Sequence, residues 1–233
     1  MCAYRTTLVR ASLSCQVYEH MKQAIILQEV PEFQMGAKIN EAAVAKMFTC
    51  SVTPVREAIN RLRRDGLIVG DSYQSSSIVR FTVQDVKNIF DVRKYLETGV
   101  LQQAMQKVTH KDIEYLRKCN NTYREAYEQF DEEGIIGSNR LFHNHLVQLS
   151  GNELLLRMLE SIQEQVAMLR APIAQARQEK GDLSQLLLPV REHERLLDAL
   201  EEESYEKAHD ALIAHIERIE YDSVNHYRNA LKE

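Results

Sequence analysis

The sequence predicts a mainly α protein in two parts: an N-terminal winged helix-turn-helix over residues 1–80 and an all-α antiparallel helical bundle over residues 81–233. Three observations predict it. The stretch CSVTPVREAINRLRRDGLI at 50–68 is a sharply bounded helix that follows a shorter one and precedes two strand-like runs around a polar loop. Beyond Phe81 the strand signal gives way to long helical periodicity. Charge divides at the same place: residues 1–80 hold ten Lys and Arg against seven Asp and Glu, and the rest nineteen against twenty-seven, within a net charge of −5.

Taken in order, Leu13 to about Glu29 reads as a helix with Val17, Met21, Ile25 and Ile26 on its apolar side. Asn40 is placed to cap a second helix, Glu41 to Phe48, and Thr49 to Val52 form the turn into the third. Thr53 followed by Pro54 predicts an N-cap and a first helical position, because a hydroxyl satisfies an orphan amide and proline's fixed φ suits the first turn. At about 100° per residue, Val55, Ala58, Ile59 and Leu62 share one stripe and Arg56, Asn60, Arg63 and Arg64 another. One face packs and the other is free to bind. Gly66 closes the helix, and the runs Leu67–Val69 and Ile78–Phe81 flank the loop DSYQSSS as a two-stranded wing.

The bundle is expected as helices at about 83–107, 109–131, 137–149, 152–178, 184–202 and 204–231, with breaks at Gly134, Gly137, Gly151 and Gly181. No apolar run approaches the roughly 18 residues of a membrane span, and MCAYRTTLVR lacks the apolar core of a signal peptide, so a cytoplasmic protein without a membrane partner is expected. Cys2, Cys15, Cys50 and Cys119 are scattered with no C-x-x-C pair, which argues against a disulfide framework or thiolate zinc site. The sequence holds no H-E-x-x-H, nucleophile elbow or phosphate loop, so catalysis is not expected.

Polar residues on apolar stripes mark a candidate pocket. Asn139 and His143 stand four apart on one helix and so face the same way. His193 lies on the stripe Leu186, Val190, His193, Leu197, Leu200, and His215 on Ala208, Leu212, His215, Ile219. Three imidazoles from three helices suit a borderline divalent ion such as zinc or nickel, although each is equally placed to be a hydrogen-bonded core histidine. His145 points roughly 200° away from His143, and His20, His110, His209 and His226 do not join the set. Arg93 falls near an apolar stripe where a guanidinium needs an anion, either Glu97 in a salt bridge or a bound carboxylate.

The stretch GAKINEAAVAKMFTCSVTPVREAINRLRRDGLI resembles the winged-helix reader of GntR-family bacterial transcription regulators, with TPVREAI especially specific. FTVQDVKNIFDVRKYLE, NRLFHNHLVQLSGN, REHERLLDAL and AHDALIAHI resemble, in order, landmarks of the FCD ligand-binding domain of that family's FadR branch. The resemblance implies a homodimeric regulator, a repressor in the first instance, that binds a short pseudo-palindromic duplex operator and responds to a small carboxylate metabolite. It also implies a divalent metal held by an acidic residue and three histidines, here Asn139, His143, His193 and His215, with Arg93 on the effector. The alternative is a DNA-binding module whose helical part only dimerises. Three departures stand out: Val52 where the family has arginine, Ser75 to Ser77 where the wing has glycine, and Asn139 where it has aspartate. The last removes a negative charge and should weaken the ion's hold. On the reader, Arg56 lies in the first turn, where bases are reached; Thr53, Asn60, Arg63 and Arg64 complete the DNA face, with Lys38 and the wing serine Ser76 as weaker phosphate contacts.

Overall fold

The computed structural model describes residues 12–28, 30–70, 75–179 and 183–230. Cys2, the segment MCAYRTTLVR, the loop residues 71–74 and the break expected at Gly181 lie outside the described residues. The chain divides into two compact units, one ending at Arg80 and one beginning at Phe81.

In the first unit, α1 (Leu13–Leu27) buries Val17, Tyr18, Met21, Ile25 and Ile26 and packs on α3 (Val52–Arg64). A 3-10 turn at Pro31–Phe33 seats Phe33 in the same core. Asn40 caps α2 (Glu41–Met47) by accepting from the amides of Ala42 and Ala43 at 3.0 and 3.1 Å. Helix α3 begins two residues earlier than the Thr53–Pro54 signal predicts: Ser51 is the N-cap residue, in extended conformation, and Thr53 makes no cap. Pro54 is tolerated there because amides of the first turn have no intrahelical partner to lose. The buried stripe is Val55, Ala58, Ile59 and Leu62, as its spacing predicts. Gly66 adopts φ +74° just past the end of α3, and Leu67 N–H reaches back to the carbonyl of Leu62 at 2.9 Å.

The wing is antiparallel, but shorter and earlier in its second strand than the apolar run 78–81 predicts. β1 (Ile68–Val69) pairs with β2 (Ser77–Ile78), Ile68 opposite Ile78. Phe81 belongs to the second unit. The segment before α2 completes the ladder, with Ile39 N–H donating to Ser76 at 2.8 Å and a bridge between Lys38 and Ser77.

The second unit is all helical among its described residues: α4 (Val83–Lys107), α5 (His110–Gln129), α6 (Glu132–Leu149), α7 (Glu153–Glu179), α8 (Leu183–Leu186), α9 (Leu188–Glu201) and α10 (Tyr205–Ala230). Thr82 with Asp85, and Thr109 with Asp112, form reciprocal capping boxes that start α4 and α5. Gly134 and Gly137 do not break the chain; both lie inside α6, which starts five residues earlier than its expected bound. Asp131 caps it by accepting from the Gly134 amide at 3.0 Å, and a Cβ on Gly134 would lie 2.3 Å from that carboxylate, so glycine serves the cap rather than a break. Gly151 does separate helices, at φ +77°. The segment expected as one helix at 184–202 is split into α8 and α9. Helix α4 packs on α6, α7 and α10, α5 on α6 and α9, and α9 on α10; among the mainly apolar buried residues of α4, α6, α9 and α10 are Arg93, Glu97, His143, His193 and His215.

Candidate functional sites

On the first unit, the exposed side of α3 carries Thr53, Arg56, Asn60 and Arg64. Arg63 is partly buried: it donates to the Asn60 side-chain oxygen at 2.7 Å and to the Ser76 hydroxyl at 3.0 Å, tying the helix to the wing. Lys38 is exposed beside the wing strand through its bridge to Ser77. Arg56, its side chain 64% exposed, is gripped by Glu41 at the start of α2, with Nη2 2.8 Å and Nε 3.2 Å from Oε2. This clasp escapes sequence reasoning, because nothing at residue 41 beyond an acid at a helix start points to residue 56.

In the second unit, α6, α9 and α10 bring His143, His193 and His215 together. All three are buried, and each offers one ring nitrogen within 4.8 Å of the others'. Outer hydrogen bonds fix their tautomers. Arg93 Nη2, which only donates, lies 2.8 Å from His143 Nε2, so Nδ1–H of His143 donates to Glu97 at 2.6 Å. Nδ1–H of His193 donates to Asn120 at 3.1 Å, and Nδ1–H of His215 to Glu192 at 2.8 Å. Nε2 of His193 and of His215 is left buried with no hydrogen-bond partner, as is Asn139 Oδ1 one turn before His143. His193 is itself held between Phe142, 4.0 Å away between ring centroids and nearly parallel, and Tyr123 at 5.4 Å.

The electrostatics keep the imidazoles neutral. Burial, reinforced by neighbouring cations, pushes His193 and His215 well below the ordinary histidine range, and burial lowers His143 as well. Burial by itself would raise Glu97, but Arg93 and His143 hold its carboxyl down at about 2. The Arg93–Glu97 salt bridge therefore forms, at 2.6 Å, while Arg93 Nη1 remains without a partner. His145 is elsewhere, its Nε2–H donating to the Asp112 carboxylate at 3.0 Å.

Two neutral nitrogens with oriented rings and bare lone pairs, Nε2 of His193 and of His215, fit a divalent cation, while Arg93 covers the third, Nε2 of His143. The cluster of His143, His193 and His215 could hold a metal ion, and the unpartnered Oδ1 of Asn139 lies one turn before His143. Asn120 and Glu192, which aim two of the rings, carry no sequence signal of their own; only helix packing selects them.

Comparison with known proteins agrees with this geometry. Residues 13–75 match the bacterial regulatory proteins of the gntR family, and residues 88–218 match the FCD domain. The chain is 27% identical over 219 residues to the uncharacterized HTH-type transcriptional regulator YdhC of Bacillus subtilis, covering 94% of this chain and 92% of the relative. It is 24% identical over 185 residues to the HTH-type transcriptional repressor RspR of Escherichia coli, covering 79% and 78%. The solved structure of E. coli McbR/YncC has the same fold, with a TM-score of 0.77 at 22% identity over 94% of this chain and 100% of that one. A winged-helix unit with an exposed arginine face, followed by an all-helical unit around a buried polar cluster, defines a DNA-binding regulator with an effector-binding domain. The chain belongs to the GntR family of bacterial transcriptional regulators, with an FCD-type C-terminal domain.

Proposed function

We propose that the protein is a cytoplasmic repressor: a homodimer binds a pseudo-palindromic duplex operator through residues 1–80, and a small carboxylate taken up by residues 81–233 together with a divalent ion releases it. The observation that supports this best is the pair of buried, unpartnered Nε2 atoms on His193 and His215 beside His143. His143, His193, His215 and the Asn139 amide oxygen would hold the ion, zinc or nickel by their donor set. When bound, the ion supplies positive charge and Lewis acidity to an effector carboxylate. Arg93 supplies a second grip through its unpartnered Nη1, and Glu97 holds that guanidinium in place. Asn139, lacking a charge, makes the ion's hold weaker and leaves room for an anionic effector to complete the site.

On the reading face, Arg56 addresses base edges, and Thr53, Arg64, Lys38 and Ser76 contact phosphate, with Asn60 and Arg63 fixing helix against wing. RspR, named a repressor, supports the sign of regulation. Release of DNA requires that the effector bind the two arrangements of the dimer with different affinity, and linkage then makes DNA weaken effector binding by the same factor. His193→Ala tests the scheme. Metal uptake and effector-dependent release should be lost while operator binding persists; unchanged metal content and release would place the pocket elsewhere.

A further inference from the structure

On the first unit, the outer side of α3 is tied to the wing through a single cation. Arg63 Nη1 donates to Asn60 Oδ1 at 2.7 Å on the same helix, and Arg63 Nη2 donates to the Ser76 hydroxyl at 3.0 Å. Ser76 is fixed in turn: its carbonyl accepts from Ile39 N–H at 2.8 Å, and the next residue, Ser77, is paired with Val69 and bridged to Lys38.

A guanidinium only donates, so each group it touches must turn an acceptor toward it. At Asn60 the amide oxygen is the atom turned to Arg63, and the exposed side chain therefore presents Nδ2 with its two N–H groups. Among the described residues Nδ2 has no acceptor. At Ser76 the hydroxyl oxygen accepts from Arg63, which leaves its O–H to donate. With a cation at its centre, the chain Asn60–Arg63–Ser76 ends in a donor on both sides.

Asn60 follows Arg56 by four residues, so the two share a stripe of α3 about 6 Å apart along the axis. That is roughly two base-pair steps of a duplex. A free asparagine reads adenine bidentately, accepting from N6 and donating to N7. Here Oδ1 is occupied, so that pairing is closed, and the Nδ2 hydrogens would meet the adenine amino group. Cytosine also shows an amino donor in the major groove. Guanine shows O6 and N7, two acceptors side by side, which suit an outward NH2.

We propose that Asn60 is a donor-only reader of guanine, with its polarity set by Arg63 and so by the wing. The inference rests on the reading of residues 1–80 as the operator-binding unit with α3 in the major groove. The oxygen of Asn60 fixes helix against wing, and its nitrogen specifies a base.

The test is selection from randomised duplexes by the full-length protein at one fixed salt concentration, with base preference read at every enriched position. Wild type should take guanine over adenine by about tenfold at one position of each half-site, and Asn60→Ala should flatten that position alone. Arg63→Met frees Oδ1 and should move the same position toward adenine. Asn60→Asp keeps the side-chain shape and the bond from Arg63 but presents an oxygen, and should move it toward cytosine or adenine. Asn60→Asp carries the test where Arg63→Met fails to fold. A purely structural Asn60 would change affinity for all sequences and leave the preferences alone. Unchanged preferences in both Asn60 variants, adenine preferred by wild type at the position that Asn60→Ala flattens, or guanine retained in folded Arg63→Met overturns the proposal and leaves the operator reading intact. If wild type enriches no sequence, the operator reading fails and the proposal with it.

Discussion

The guanidinium of Arg93 donates to His143 Nε2 at 2.8 Å, and so uses the lone pair that a metal ion on this histidine requires. Arginine and a metal ion would thus be alternatives at one nitrogen, so Nη2 would have to leave His143 if a cation bound there, while Nε keeps its bond to Glu97. Arg93→Met should raise metal affinity, since a positive charge leaves the site while Glu97 stays. It should also destabilise the metal-free protein by about 3–5 kcal/mol, because a buried carboxylate loses its partner. Urea denaturation with and without a chelator measures both; equal metal affinity in the two proteins would remove Arg93 from the site.

Asn139 places its unpartnered Oδ1 one helical turn from His143. Restoring an acid there should tighten the ion: Asn139→Asp is expected to raise affinity by about 10- to 100-fold, in the range seen when groups around a metal site are altered. Competition against a chromophoric chelator reads this directly. An unchanged constant would mean that residue 139 is not a ligand.

Glu41 clasps Arg56 in the protein without DNA. An acid beside a base-reading arginine holds it in one geometry and opposes stray phosphate contacts. Glu41→Gln should therefore increase affinity for random duplex more than for operator, and steepen the salt dependence on random DNA. Arg56→Ala should cost about 1–3 kcal/mol on the operator and relax specificity. An equal loss on operator and random duplex would show Arg56 to be a phosphate contact only.

Val52 is the first residue of α3, where the resemblance leads one to expect arginine in the preceding turn. Val52→Arg should strengthen binding to the operator common among relatives more than to this protein's own, and add about one counterion to the salt slope if the new side chain meets phosphate. Titrating both proteins on both sequences decides it; equal gains with equal slopes would reduce Val52 to a packing residue.

The capping boxes give the helical unit a defined acid sensitivity. Hydrogen bonds from Thr82 hold the Asp85 carboxyl below the usual carboxylate range, and bonds from Thr109 do the same for Asp112. Because the folded value is depressed, the stabilisation is complete above the unfolded value of about 4 and is lost as pH falls through the folded one. Thr82→Ala should cost roughly 0.5–2 kcal/mol at pH 7, and the gap from wild type should narrow below about pH 4. A gap that is constant with pH would show that Asp85 is not coupled to the cap.

The sequence by itself determined most of the helices, though not the start of α6 or the split between α8 and α9, and it determined the apolar stripe of α3, the Asn40 cap and the inward placement of His143, His193 and His215, because each follows from spacing within one element. It misplaced the start of α3. Ser51 and Thr53 are both competent caps, and the turn before them, with Thr49 at φ +51° and Cys50 N–H bonded to Ala45, settles where the helix begins. It also took Gly134 for a break, since a glycine's local preference says nothing about an Asp131 carboxylate folding back over it. Only the tertiary structure decided which long polar side chains meet. Arg93 with His143, Glu41 with Arg56, Glu192 with His215 and Arg170 with Tyr123 lie 15 to 50 residues apart. Periodicity assigns a side chain to a face of its own helix; the partner across the gap is chosen by how the helices pack.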